Sequence, residues 1–160
     1  MAHRVIVASL SDMDRAAREV LAYRDELQLK LNRLLTVLSE DGAEYARMQV
    51  ATLGAVYTGG LLDSIEGYYS ASEHCGIIKA GAWYAAFVEY GTGVVGANSP
   101  HPNGNGWAYD INGHGEAGWH YMLDEQWHWT RGMPSRPFMY NTVQELERIC
   151  QTVAMEVFGA

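Results

Sequence analysis

The sequence predicts an α+β protein with a long N-terminal helix, a small antiparallel β-sheet carrying a long glycine-rich loop, and a C-terminal helix packed on the sheet. Three observations favour this class. Apolar residues recur at helical spacing near both ends of the chain, strand-like runs separated by turn residues lie between them, and seven of the 17 glycines fall in residues 93–118. At 160 residues, with no repeat and no second composition, the chain is expected to form a single domain over residues 1–160.

The N-terminal helix is predicted from Leu10 onward. Ser11 and Asp12 are candidate N-caps, Gly42 is a candidate end, and a second helix is expected over residues 43–55. A helix of about 28 residues is about 42 Å long. An apolar stripe of that length needs a partner, which is the C-terminal helix, a neighbouring subunit, or both. The stripe consists of Met13, Ala17, Val20, Leu21, Leu27, Leu31, Leu34, Leu35 and Leu38.

A hairpin and a short helix are predicted next. Residues 64–71 and 75–80 are strand-like and are separated by turn residues 72–74. Residues 82–90 contain no interior glycine or proline, and they predict a helix that ends near Gly91.

The glycine-rich residues 93–118 predict a long loop whose centre, residues 99–106, has no regular structure. Loops of this length inside a domain are usually functional, or they order on a partner. Strands are expected at residues 119–123 and 126–130 around a turn, followed by a last helix over residues 139–157.

The charge is −8 overall and is distributed unevenly. Residues 1–60 carry 7 Lys and Arg against 8 Asp and Glu (−1), whereas residues 61–160 carry 4 against 11 (−7). An acidic second half argues against nucleic-acid binding, which requires clustered Lys or Arg side chains. It fits a surface that DNA passes without adhering.

The sequence also indicates the cellular compartment of the protein and the redox state of its cysteines. No stretch reaches the roughly 18–20 apolar residues of a membrane span, and the apolar run at residues 5–10 is too short for a secretory signal. Cys75 and Cys150 show no metal or redox spacing. We therefore expect a soluble intracellular product with two reduced thiols and no membrane partner.

The alternative to a structural role is a zinc-dependent hydrolase, with ligands drawn from four histidines: His101, His114, His120 and His128. The turn before Gln126 could bring His120 and His128 together, but the spacing matches no HExxH or zinc-knuckle pattern. No GxSxG elbow or phosphate loop is present. The sequence thus assigns no catalytic, cofactor-binding or metal residue, and predicts a non-enzyme without cofactors.

Tryptophans form a second candidate surface. Trp127 and Trp129 should share one strand face, as should Trp119 and Tyr121. Such faces stack on sugars or bases in some proteins, and pack in a core or subunit interface in most.

Three short motifs then occur in order: TGGLLDSI at residues 58–65, YAAFVEYGT at 84–92, and GMPSRPFM at 132–139. Together they resemble the head–tail joining or tail-completion proteins of the neck of lambda-like tailed bacteriophages, often described as minor tail components. One departure is Ala55-Val56-Tyr57, where members often carry a proline and an acid. The signature falls on Thr58, Gly59, Leu61, Ser64, Ile65, Tyr84, Ala85, Glu89, Tyr90, Gly91, Thr92, Arg136, Pro137 and Phe138.

The resemblance implies a structural virion protein, assembled in the host cytoplasm. It implies a homo-oligomeric ring, commonly of six subunits, through which DNA passes without specific binding. Its expected neighbours are a head-side connector or stopper protein and a tail terminator or tail tube protein. The resemblance leaves open the alternative that the chain is itself a tail terminator capping the tube.

Glu89 is interpreted as a brace rather than a catalytic acid. With Thr92 it is expected to bond the backbone of the glycine turn that begins the long loop. Glu89→Gln is then expected to preserve the fold and weaken assembly.

Overall fold

The longest element is a single helix, α1 (Leu10–Thr52), of 43 residues. The computed structural model describes residues 9–110 and 112–159, so most of the apolar run at residues 5–10 lies outside it. Ser9, not Ser11 or Asp12, is the N-cap, and its hydroxyl forms a capping box with Asp12.

Gly42 does not end α1, contrary to the prediction, and no second helix starts after it. Gly42 is buried within the helix, where a Cβ would collide with Ile78 and would meet Leu146 Cδ1 at 3.0 Å. The glycine therefore allows a strand and the C-terminal helix to approach α1 closely. A pattern of local stop signals cannot reveal this contact, because it joins residues far apart in sequence.

Two separate two-stranded antiparallel sheets replace the single sheet that the sequence predicts. The first pairs β1 (Ile65–Ser70) with β2 (Cys75–Ala80), and the second pairs β3 (Trp119–Leu123) with β4 (Gln126–Thr130). Both hairpins occupy the predicted positions. A two-residue strand, β5 (Gly132–Met133), forms bridges with Thr92 and Gly93.

Four further helices complete the fold: α2 (Gly60–Asp63), α3 (Ala85–Tyr90), α4 (Gly93–Asn98) and α5 (Phe138–Gly159). The short helix predicted before Gly91 and the C-terminal helix are confirmed. The predicted loop is partly wrong, because its first six residues form α4 and Gly115–Ala117 form a 3₁₀ turn. Residues 99–106 contain no helix or strand, as expected.

The core lies where the second half of α1 meets β1, β2 and α5. The C-terminal helix packs on both α1 and the sheet, which confirms the predicted α+β arrangement. The central buried apolar side chains are Ala43, Ala46, Val50, Leu61, Ile65, Ala85, Val88 and Phe138. No helix within residues 9–110 and 112–159 is both long and apolar enough to span a membrane.

Candidate functional site

The Glu89 carboxylate is buried where α3 meets the start of α5. Its two oxygens accept hydrogen bonds from the backbone N–H groups of Met139 and Tyr140, each at 2.9 Å. The first turn of a helix carries unpaired N–H groups and a partial positive charge, so a carboxylate there is stabilising. The expectation that Glu89 bonds the glycine turn is therefore wrong, since its side chain caps the distant helix.

His101 supplies the third donor to Glu89. Its Nε2 lies 2.9 Å from Glu89 Oε1, and its Nδ1 accepts from the backbone N–H of Asn103 at 2.9 Å. Because Nδ1 accepts, the hydrogen-bond network assigns the neutral ring's proton to Nε2. His101 thereby fixes the start of the 99–106 loop to the same carboxylate that caps α5.

The second and third sequence motifs meet around this carboxylate. The Ser135 hydroxyl donates to the Glu89 carbonyl at 2.7 Å, and the Arg136 N–H donates to the Val88 carbonyl at 2.9 Å. Thr92 Oγ1 accepts from the backbone N–H of Met133 at 3.2 Å, rather than bonding its own turn as expected. Residues on either side of the long loop are thus joined directly.

Gly91 lies at the closest backbone approach. Its φ is 81°, and a Cβ there would lie 2.7 Å from Ser135 N. Both the left-handed conformation and the lack of space require glycine. Phe138, which follows Pro137 in the third motif, is among the most buried side chains of the described residues.

The first motif joins the junction from the α1 side. Leu61 and Ile65 are buried in the core, and the Ser64 hydroxyl donates to the Leu61 carbonyl at 2.8 Å. Gly59, one residue after Thr58, has a φ of 85° and is the N-cap of α2. Arg136 Nε donates to the Leu53 carbonyl at 3.1 Å, which connects the third motif to the end of α1.

The aromatic residues of the second motif pack around the same point. Tyr90 stacks on Trp107 at 4.8 Å between ring centroids, and its ring also contacts His101. Tyr84 precedes α3, and Ala85 is buried in the core. The structure therefore brings all three motifs together at one junction, which we call the motif junction, and their residues there hold α1, α3 and α5 in place.

The four histidines that the sequence offers as zinc ligands do not come together. In the β3–β4 register, His120 is opposite Trp129 and His128 is opposite Tyr121, so the two histidine side chains lie on opposite faces of the hairpin. The suggestion that the turn brings them together is wrong. Within the described part of the chain, no group of three or more His, Cys, Asp or Glu side chains is placed to hold a metal ion. Cys75 and Cys150 are both free thiols.

The two faces of the β3–β4 hairpin differ in their surroundings. Trp119 and Tyr121 share one face, as predicted, and line a pocket of about 450 Å³. Trp127 and Trp129 share the other face, also as predicted, and are 68% and 55% exposed.

Asp110 lies at the edge of that pocket. Its carboxylate accepts hydrogen bonds from the backbone N–H groups of Gly115 and His114. These bonds, with that of Gly115 first in importance, favour the ionised form and lower the pKa of Asp110 below its usual 3.8. The pocket edge therefore carries a negative charge at neutral pH.

The first half of α1 forms a third exposed feature. Every residue from 9 to 29 is exposed, including Leu10, Val20 and Leu29. The end of α5 lies beside Lys30, whose Nζ is 3.4 Å from the Phe158 carbonyl. Residues 10–29, about 30 Å of helix, are called the α1 arm below.

The sequence did not predict the Glu89–His101 contact or the pocket. His101 follows Glu89 by 12 positions, with the glycine turn between them, so no helical or strand periodicity relates the two residues. The pocket combines side chains from α3, the long loop and the hairpin, and only folding brings these together. Comparisons with protein-family models, curated proteins and solved structures found no match to this chain.

Proposed function

We propose that this protein is a structural component of the neck of a tailed bacteriophage, a tail-completion or head–tail joining protein that assembles into a ring around the DNA channel. The observation that carries the proposal is the α1 arm. It presents an apolar stripe that is exposed along the whole length of residues 10–29. Burial of such a stripe against further subunits would remove a large apolar surface from water.

The motif junction supports the same proposal. The three motifs that resemble the neck family meet in space, and the Glu89 oxygens there accept bonds from three donors within the chain. This arrangement suits a fixed scaffold that positions interaction surfaces. The proposed partners are further copies in a ring of about six, a head-side connector or stopper, and the tail terminator or tail tube.

The charge distribution fits a channel component. Residues 61–160 carry a net charge of −7, and like-charge repulsion would let DNA move past without adhering. The proposal assigns no enzymatic activity, cofactor or membrane partner. It places the protein in the virion neck after assembly in the host cytoplasm.

A matched pair of variants on the α1 arm tests the proposal. Leu27→Glu places a charge on the apolar stripe, whereas Gln28→Glu places the same charge one residue away on the polar side. We expect Leu27→Glu to abolish ring formation, alone or on purified connectors and tail ends, and Gln28→Glu to retain it. Negative-stain microscopy and native mass spectrometry measure this.

Two further results bear on the proposal. Cryo-microscopy of intact particles should locate the chain between head and tail, and its exact level distinguishes tail completion from tail termination. A wild-type protein that stays monomeric beside purified connectors and tail ends would contradict the neck assignment.

A carbohydrate-binding module is the second candidate, because Trp127 and Trp129 are exposed side by side on one strand face. Glycan-array binding that disappears in Trp127→Ala would support this candidate. Absence of glycan binding together with ring assembly would reject it.

A further inference from the structure

The β3–β4 hairpin carries two complementary surfaces on its opposite faces. One face forms a wall of the 450 Å³ pocket, whose other walls include Phe87, Tyr109 and Met133. Trp83 lies at the opening of the pocket and is 84% exposed. A pocket of this size with aromatic walls suits a large apolar side chain from a partner.

The opposite face of the hairpin presents such side chains. Trp127 and Trp129 project there, and Arg131 continues the same alternation after β4. A Cβ on Gly118 would lie 2.9 Å from Trp129 Cζ2 and 3.1 Å from Arg131 Cγ, so these two side chains flank the same glycine. Exposed tryptophan and arginine are the residue types that most often dominate binding energy at interfaces.

The charges of the two faces also match. Arg131 is exposed and forms no ion pair with the described residues. Asp110, at the edge of the pocket, is held ionised by backbone N–H groups. A cation beside the projecting tryptophans and an anion beside the pocket would attract each other across a contact.

We propose that the Trp127–Trp129–Arg131 face of one copy docks into the aromatic pocket of the next copy. The two surfaces point in opposite directions from one hairpin, so the contact is heterologous. Such contacts leave one surface free at each end, and therefore build rings or open chains rather than closed dimers. This inference rests on the proposed ring function and names a second contact between neighbouring copies, in addition to the α1 arm.

Complementary variants test the interface. Trp127→Ala combined with Trp129→Ala removes the projecting face and keeps the pocket. Ala108→Trp fills the pocket, because Ala108 is an exposed pocket residue, and keeps the projecting face. Ala108→Ser and Met155→Ala are the controls, the latter an exposed apolar residue on α5.

Analytical ultracentrifugation of the full chain gives the readout. We expect wild type and both controls to self-associate, and each interface variant to weaken self-association at least about tenfold. An equimolar mixture of the two interface variants, each also carrying Leu27→Glu to remove the α1 arm contact, should form one-to-one heterodimers that stop growing, since only one intact contact remains. Arg131→Glu should weaken association without changing a buried residue, which covers the case in which the double variant does not fold.

Several results would overturn the inference: a wild-type protein that stays monomeric at its highest soluble concentration, self-association unaffected by both interface variants, or a mixture without heterodimer. Tryptophan variants that lose oligosaccharide binding but retain self-association would assign the face to a saccharide instead. If the heterodimer test succeeds but the protein is absent from virion necks, only the proposed function fails. If the chain occupies the neck but the heterodimer test fails, only this interface fails.

Discussion

At the scale of single residues, Glu89 connects three separate segments of the fold. Its carboxylate joins α3, the 99–106 loop and the first turn of α5. Because the group is buried and accepts three hydrogen bonds, its replacement is expected to affect the whole fold. In place of a preserved fold, we therefore expect Glu89→Gln to destabilise the protein.

We expect Glu89→Gln to lower the free energy of unfolding by roughly 2–4 kcal/mol. The amide keeps one acceptor oxygen but turns donor hydrogens toward groups that are themselves donors. Urea unfolding followed by circular dichroism measures the loss. Glu116→Gln, an exposed acid, is the control and should stay within about 0.5 kcal/mol of wild type. Equal stability of Glu89→Gln and wild type would refute the bracing role.

Asp110 predicts a local pH dependence. Its folded-state pKa lies below the usual 3.8, so the stabilisation from its ionised form is present above pH 3.8 and is lost as the pH falls through the lower folded value. The amide resonances of His114 and Gly115 should shift with a midpoint below pH 3.8, and this titration should vanish in Asp110→Asn. A midpoint at or above 3.8 in wild type would contradict the assignment.

At the scale of elements, the packing of β1 against α1 depends on Gly67. A Cβ there would collide with the Ser39 carbonyl of α1 and would lie 2.9 Å from Ala43 Cβ. Backbone atoms of a helix cannot move aside as a flexible side chain can, so the sheet itself would have to shift.

Gly67→Ala is therefore expected to lower the free energy of unfolding by about 1–3 kcal/mol or more. Thermal and urea unfolding measure the effect. Gly159→Ala is the control, because a Cβ at that position would meet nothing within 4 Å. A Gly67→Ala protein as stable as this control would show that β1 is free to separate from α1.

The sequence predicts elements well where local signals suffice. Both hairpins occupy their predicted residues because strand-forming runs flank short polar turns. The predictions at Gly42 and at α4 are wrong because glycine usually interrupts helices. Here Gly42 makes room for Ile78 within α1, and Gly93 is the first residue of α4. The motif junction could be anticipated only as three motifs in order, since their contacts span up to 83 residues.

At the scale of the whole molecule, the α1 arm is separable from the body. Residues 9–29 are exposed throughout, whereas the core uses α1 from Ser39 onward. Removal of residues 1–29 should therefore leave the stability of the rest of the chain within about 1 kcal/mol of wild type and abolish the proposed ring assembly. Urea unfolding and ultracentrifugation measure the two effects separately. A truncated chain that unfolds spontaneously would show that the α1 arm stabilises the monomer.

The Glu89 contacts also determine when the fold can close during synthesis. The two α5 donors follow Glu89 by 50 and 51 residues, and a chain leaves the ribosome N-terminus first. The hairpin of β1 and β2 can pack on α1 once residue 80 has emerged. Until Tyr140 follows, the Glu89 carboxylate lacks the two backbone donors of α5, and His101 is the one of its three donors that has already been synthesised. A chain whose translation ends before α5 can therefore pack β1 and β2 on α1, but it cannot form the contacts that join α3 to α5 through Glu89.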